Sequence, residues 1–378
     1  MSVASQDRIS AGSGGPAAAS RPPATPVQVV ASGSFEAVLS ELGIGLAVAS
    51  YQASLVILAS VGPAGLSVLP RAFDKPMALA ATDGRLAIAT RTELVILAAS
   101  QALAPDYPRA QNVYQQIWLP RTVRFTGEID MHDIAFAGDA VLGAATRFSC
   151  LARLDDTASF TPLWCPPFIS DLVPDDRCHL NGMALDDNGQ PCFVTALGAG
   201  NSAESWRAGR ASAGVVISVS NGRTVMDGLC MPHSPRWIEG VLHLLNSGAG
   251  EVLRLDDHGG VQVLARLPGY LRGLAVHGDV LFVGLSRLRD RHGAGHTSLP
   301  VEAGDTLSCG VVTLDRHSGR VLGSLDFTGG IDEVSDIALL PGAGRHGILS
   351  HTDPGHRAAL ALPGQGFWAQ TEATRPEH

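Results

Sequence analysis

Two histidines, His132 and His233, stand first among the residues of this chain that could do chemistry, because each opens a segment of the same form. Imidazole is the side chain best suited to carry a proton or bind a metal near neutral pH. Sister segments open on Asn181, Arg272, Asp336 and Met77, and close neighbours add Asp133, His179, Ser234, Arg236 and Glu333. If these positions meet in space, His132, His179 and His233 can serve as imidazole ligands. Asp336 or Glu333 would then add a carboxylate, as ligand or general base. Two or three imidazoles with one carboxylate suit zinc, iron(II) or manganese, and an incomplete shell leaves room for water or substrate. No HExxH-type spacing supports this locally, so the expectation of a divalent transition metal rests wholly on convergence. The competing readings are a polar site that works without metal, and a structural plug in which these groups hydrogen-bond across a narrow channel.

Arg272 and Arg236 bear on the substrate. A guanidinium beside a metal is costly unless an anion lies between them, and its fork fits a carboxylate, sulfate or phosphate. A small anionic metabolite is therefore the expected partner, with Arg272 as anion clamp and Arg236, Asn181 and Asp133 as further binding residues. Pairing of the arginines with Asp133, Asp336 or Glu333 is the structural alternative. The expected activity is that of a metal-dependent hydrolase, lyase or isomerase, between which the residues do not choose. A non-catalytic module that binds a ligand or docks a protein is the other class of function.

Several chemistries are excluded or set aside. The only lysine, Lys75, lies in a turn-like DKP context, so Schiff-base chemistry has a single poor candidate. GxSxG, P-loop and GxGxxG-helix patterns are missing, so nucleotide cofactors have no support. Cys178 and His179 are adjacent, which on a strand turns them to opposite faces and argues against a thiol–imidazole pair. His292 and His296 fall in a Gly- and Arg-rich stretch, 287–300, that reads as a long loop or a lid over the channel. A net charge of −9 argues against nucleic acid. No run approaches a membrane span. The six cysteines show no CxxC pair, and the N-terminus lacks a secretory signal, so a reducing compartment, the cytoplasm, is expected.

What must position these residues is a set of repeats. HDIAFAGDAVLGAAT (132–146), NGMALDDNGQPCFVT (181–195), HSPRWIEGVLHLLNS (233–247), RGLAVHGDVLFVGLS (272–286) and DIALLPGAGRHGILS (336–350) have equal length and end on a hydroxyl. MALAATDGRLAIAT (77–90) is a sixth copy, one residue shorter. The starts lie 55, 49, 52, 39 and 64 residues apart. These intervals bracket the period of a four-stranded propeller blade. The block after Ile44 supplies strands with no repeat start, whereas the last copy has a start and few strands after it. Joining them completes one blade from both chain ends and removes free edges. The expected fold is all-β, a six-bladed β-propeller closed in this way, with seven blades if 35–43 is a strand and a β-sandwich as the competitor. The domain is expected over 31–363, between an Ala/Ser/Gly/Pro-rich disordered tail (1–30) and a flexible C-terminal tail (364–378).

The words MHDIAF, CHLNGMAL, PHSPRW, LPGYLRGLA and EVSDIALLPG resemble a bacterial β-propeller family known as a conserved domain of unknown function. The resemblance covers roughly 35–345 and implies the fold but no reaction. A more distant likeness, of architecture alone, is to six-bladed propellers of the gluconolactonase and strictosidine-synthase type.

Overall fold

The computed structural model describes residues 26–255, 260–287, 299–303 and 306–369. His292 and His296 lie outside these residues. Five of the six repeat copies form the two inner strands of a blade; the last, from Asp336, supplies only the innermost strand of its blade, and its second strand, His346–Ile348, pairs parallel with the outer strand Gln116–Phe125 of the first blade. A tight turn rich in Gly and acidic residues joins the two inner strands, as at Glu239–Gly240, where both residues have positive φ (50° and 82°). That pair of left-handed residues is the hairpin turn that matches strand twist. Blade 1 comprises Ala78–Thr82, Arg85–Ala89, Glu93–Ser100 and Gln116–Phe125. Blade 2 comprises Met131–Ala137, Ala140–Ala145, Cys150–Leu154 and Thr161–Trp164. Leu180–Leu185, Pro191–Ala196, Gly214–Ser218 and Thr224–Leu229 make blade 3, and Pro232–Ile238, Val241–Asn246, Glu251–Leu255 and Val261–Arg266 make blade 4. Blade 5 runs through Tyr270–His277, Val280–Ser286, Gly310–Asp315 and Val321–Gly329.

Blade 6 is the closure. Its innermost strand, Asp336–Pro341, comes from the end of the chain and pairs antiparallel with Ile44–Ser50, which leads into Leu55–Gly62 and Gly65–Ala72. The propeller therefore has six blades. The segment that would have made a seventh is a helix, Gly33–Leu42, capped by Ser32 Oγ, which accepts from Phe35 N at 3.2 Å, and ended by Gly43 in the left-handed region. Its buried residues, Phe35 and Leu39, pack into the core between blades 5 and 6 with Leu46, Ile57, Phe282 and Phe327. Burying each of these large side chains contributes about 1.5–3 kcal/mol.

Structure extends beyond both composition-drawn bounds, because strand pairing depends on a partner edge as well as on local composition. Gln28–Ala31 adds an outer strand to blade 5. At the other end, Gln365–Trp368 pairs with Ala359–Leu362 and is pinned by Trp368 Nε1 donating to Leu103 O (2.9 Å). All six cysteines are free thiols. Among the described residues, no helix is long and apolar enough to cross a membrane.

The inner strands are tied to one another by side chains. Asp133 Oδ2 accepts from Met183 N (3.0 Å), Ser234 Oγ from Gly273 N (3.1 Å) and Asp336 Oδ2 from Leu79 N (2.8 Å), each crossing to another blade. Gly273 has φ +80°, and a Cβ there would fall 2.7 Å from Ile337 N. Glycine thus lets blades 5 and 6 approach where a side chain would separate them.

Candidate active site at one end of the channel

The terminal hydroxyl shared by the repeats has a structural purpose at the channel. In three copies, those from His132, Asn181 and His233, the hydroxyl fourteen positions after the repeat start returns, at or just past the end of the second strand, to the side chain that opens the copy. His132 Nδ1 lies 3.0 Å from Asp130 O and 2.8 Å from Thr146 Oγ1, and Thr146 donates onward to Leu180 O (2.6 Å). His233 Nδ1 lies 2.8 Å from Met231 O and 3.1 Å from Ser247 Oγ. Thr195 Oγ1 donates to Asn181 Oδ1 at 2.7 Å. The carbonyl contact fixes the proton of each imidazole on Nδ1, since a carbonyl only accepts, and leaves Nε2 as a lone-pair site. Asp130 (φ 50°) and Met231 (φ 52°) both adopt the left-handed conformation that accompanies this carbonyl contact.

His179 is held differently. It occupies the position of Asp130 and Met231, also with positive φ (52°). Its Nδ1 meets the Asp176 carboxylate at 2.8 and 3.0 Å. Trp206 stacks on the ring (centroids 4.3 Å) and donates Nε1 to Asp176 Oδ2 at 3.1 Å. A carboxylate, an imidazole and a third group that orients them form the arrangement of an activated base. His132 stands edge-on to His179, with ring centroids 4.8 Å apart.

His132, His179 and Asp176 border a cavity of ≈ 580 Å³ on the face where the inner strands begin. Its wall includes Tyr51, Lys75, Arg147 and Arg207, with the carboxylates of Asp130, Asp175, Asp176 and Glu204. Lys75 Nζ and Arg147 Nε converge on Asp130 at 3.0 and 3.7 Å, two cations on one carboxylate, while Arg207 pairs with Glu204 at 2.7 Å. Neither Lys75 nor Arg147 had a legible signal: Arg147 follows the repeat hydroxyl, and Lys75 sits in the turn before a blade.

Deeper in the channel, His233 and Arg272 are only 5% and 7% exposed. Burial first, then the nearby charges of His179, Arg272 and His233, hold His132 well below the usual histidine range. Burial and Arg272 do the same to His233, so both are neutral at pH 7. Two buried donors, Asn181 Nδ2 and Arg272 Nε, have no hydrogen-bond partner among the described residues. Such groups cost free energy unless something accepts from them.

The carboxylates expected beside the imidazoles are engaged elsewhere. Glu333 accepts from Arg272 Nη1 (3.3 Å) and from Gln52 N (3.2 Å). Asp336 accepts from Leu79 N and Ile337 N (2.8 and 2.9 Å), and burial and then Asp133 push its carboxyl up to about 7. Arg236 forms a bidentate pair with Asp133 (2.8 and 3.2 Å) and also donates to Leu274 O, Met183 O and Pro235 O. Arg236, Asp133 and Asp336 thus make a bar across the channel beneath the imidazoles, directed at protein acceptors and amides. Among the described residues, no three His, Cys, Asp or Glu side chains form a group able to hold a metal ion.

A domain family described as a domain of unknown function, DUF4915, matches residues 33–349. No curated protein matches the sequence. Among solved structures, a chain of a nidogen–laminin complex is similar at 12% identity and TM-score 0.50, covering 80% of this chain and 100% of that chain. A putative 6-phosphogluconolactonase from Bacteroides uniformis gives 12% identity and TM-score 0.42, over 79% of this chain and 99% of that one. Virginiamycin B lyase from Staphylococcus aureus gives 10% and 0.39, over 69% and 96%. The first of these likenesses is one of fold.

Proposed function

The chain belongs to the DUF4915 family, a domain of unknown function, and from its site we propose an enzyme that moves a proton on a small anionic metabolite at the channel mouth. The observation that carries this reading is the pair of buried, unspent donors, Asn181 Nδ2 and Arg272 Nε, near imidazoles whose Nδ1 atoms are already held. Donors of this kind await an oxygen bearing negative charge, and a cation does not use them.

In this reading His179 is the general base. Asp176 takes its Nδ1 proton in a hydrogen bond, orients the ring and stabilises the imidazolium that forms when Nε2 accepts a proton. The same nitrogen returns the proton at the end of the turnover. His132 and His233, neutral through burial, accept hydrogen bonds through Nε2. Lys75 and Arg147 hold the anionic group at the rim, and Asn181 and Arg272 hold the oxygen on which charge develops. Proton abstraction next to a carbonyl, elimination and hydrolysis all use these roles.

The test is deuterium exchange. Wild-type protein in D2O with a panel of 2-hydroxy acids, 2-oxo acids and sugar phosphates should label a carbon of one of them, followed by NMR. His179→Ala should slow that labelling by about 100-fold or more, the usual worth of a positioned base. Binding without labelling would instead favour a ligand-binding module. Failure of every anion to bind would sink the proposal.

One observation favours the metal reading as the second: His132, His179 and His233 each have Nδ1 engaged by a carbonyl or carboxylate, which is how metal-bound histidines are oriented. Metal analysis of protein without a His tag, before and after reconstitution with zinc, iron(II) or manganese, decides it. About one equivalent, lost in His132→Ala and His233→Ala, is the expected result on that reading.

A further inference from the structure

The walls of the mouth are rooted on two cysteines that the proposed chemistry does not use. In blade 2, Leu151 pairs with Trp164 across the antiparallel third and fourth strands. One step further in that register opposes Cys150 to Cys165. The alternation of faces agrees: Leu151 and Trp164 pack toward blade 3 with Leu180 and Val194, whereas Cys150 and Cys165 pack toward blade 1 with Ala87 and Leu94. The shared register and shared face make the two thiols neighbours. Cys150 is buried and Cys165 is half-buried, so an oxidant can reach the second from solvent.

We propose that Cys150 and Cys165 are a peroxide-responsive pair whose disulfide clamps the two segments that build the mouth. Cys150 lies two residues after the turn Thr146–Phe148, in which Thr146 anchors His132 and Arg147 lines the cavity. Cys165 opens the stretch that runs to Asp176 and His179, and Asp176 N donates to Arg147 O (2.9 Å), joining the two segments. The neighbouring Cys150 thiol holds Cys165, the more exposed of the two, below the usual thiol range against the effect of burial, and Cys150 is correspondingly raised. Cys165 is therefore the attacking sulfur. Its thiolate displaces hydroxide from the peroxide O–O bond and becomes a sulfenic acid. The Cys150 sulfur then attacks that sulfenic sulfur, giving the S–S bond and releasing water. In total two thiols and one hydrogen peroxide give one disulfide and two waters, with sulfur oxidised and peroxide oxygen reduced.

The full chain treated with a small excess of hydrogen peroxide should lose two of its six titratable thiols under denaturing conditions, and dithiothreitol should restore them. Peptide mapping should place the bridge at 150–165, and Cys165→Ser should retain all its thiols after the same treatment. Six thiols remaining in the treated wild type, a bridge involving Cys178, or a bridge that survives Cys165→Ser would overturn the pair. For the clamp, the ring C–H resonances of His132 and His179 should differ between reduced and oxidised protein. Unchanged resonances in a verified disulfide form would overturn the link to the mouth. Neither measurement uses a substrate, so they stand or fall apart from the proposed enzymatic activity.

Discussion

The two ends of the channel are made by the same six strands and have opposite chemistry. At the mouth the wall carries His132, His179, Lys75, Arg147 and Arg207 around ≈ 580 Å³. At the far end Leu79, Ile134, Phe136, Leu185, Leu274 and Leu339 border a smaller cavity of ≈ 350 Å³. Between them lies the bar of Arg236, Asp133 and Asp336. The contrast shows that polarity is concentrated where the inner strands begin, and that the charges below are paired within the protein and divide the mouth from the apolar end. Two buried donors on the inner strands, Asn181 Nδ2 and Arg272 Nε, are left without a partner among the described residues.

The strongest way to break this division is to remove the bar's cation. Arg236→Met leaves Asp133 and Asp336 without their common counter-charge and should lower unfolding free energy by about 3 kcal/mol, read by urea titration. A loss below about 1 kcal/mol would mean that the bar does not separate the ends.

Second in size is a pH effect. Asp336 titrates near 7 in the folded chain and near 3.9 when unfolded. With the folded value raised, its contribution to stability is fully present below about pH 4 and is lost as pH rises through about 7. Stability relative to Asp336→Asn should therefore fall with rising pH, by at most about 1.4 kcal/mol per pH unit. A difference that is flat between pH 5 and 8 would contradict this.

Third, His179→Ala should weaken binding of inorganic phosphate or malonate by roughly tenfold, about 1.4 kcal/mol. Its thermal midpoint should stay within a few degrees of wild type, because His179 is not part of the bar. Equal affinity in calorimetry would remove His179 from the site. The smallest effect belongs to the far end: Leu339→Ala, half-buried, should cost about 1 kcal/mol and leave phosphate binding unchanged. Altered binding in that variant would show that the two ends communicate.

Much of the fold was legible because repetition is a sequence property. The hydroxyl on which the repeats align is the group that anchors His132 through Thr146 and His233 through Ser247. The orphan strands after Ile44 indicated the closing blade. The stretch 35–43 left a seventh blade open, and its exclusion required seeing the helix Gly33–Leu42 with Phe35 and Leu39 buried against blades 5 and 6. The site was legible only in part. Equivalent repeat positions indicate which residues face the axis, and say nothing of depth along it. Asp336 therefore reads as the equal of His132, although it lies in the bar below it.

The sequence by itself determined the repeated strand pairs, the closure from both chain ends and the ring of channel positions, because a fixed spacing of strand, turn and hydroxyl is enough to mark a repeat; the count of six needed the helix at Gly33–Leu42 in place. Only the tertiary structure decided which charges pair and which remain available. Arg236 meets Asp133 across 103 residues, Lys75 meets Asp130 across 55, and Cys165 meets Cys150 by strand register. Pairing energies depend on distance and burial in three dimensions, and neither is a function of separation along the chain.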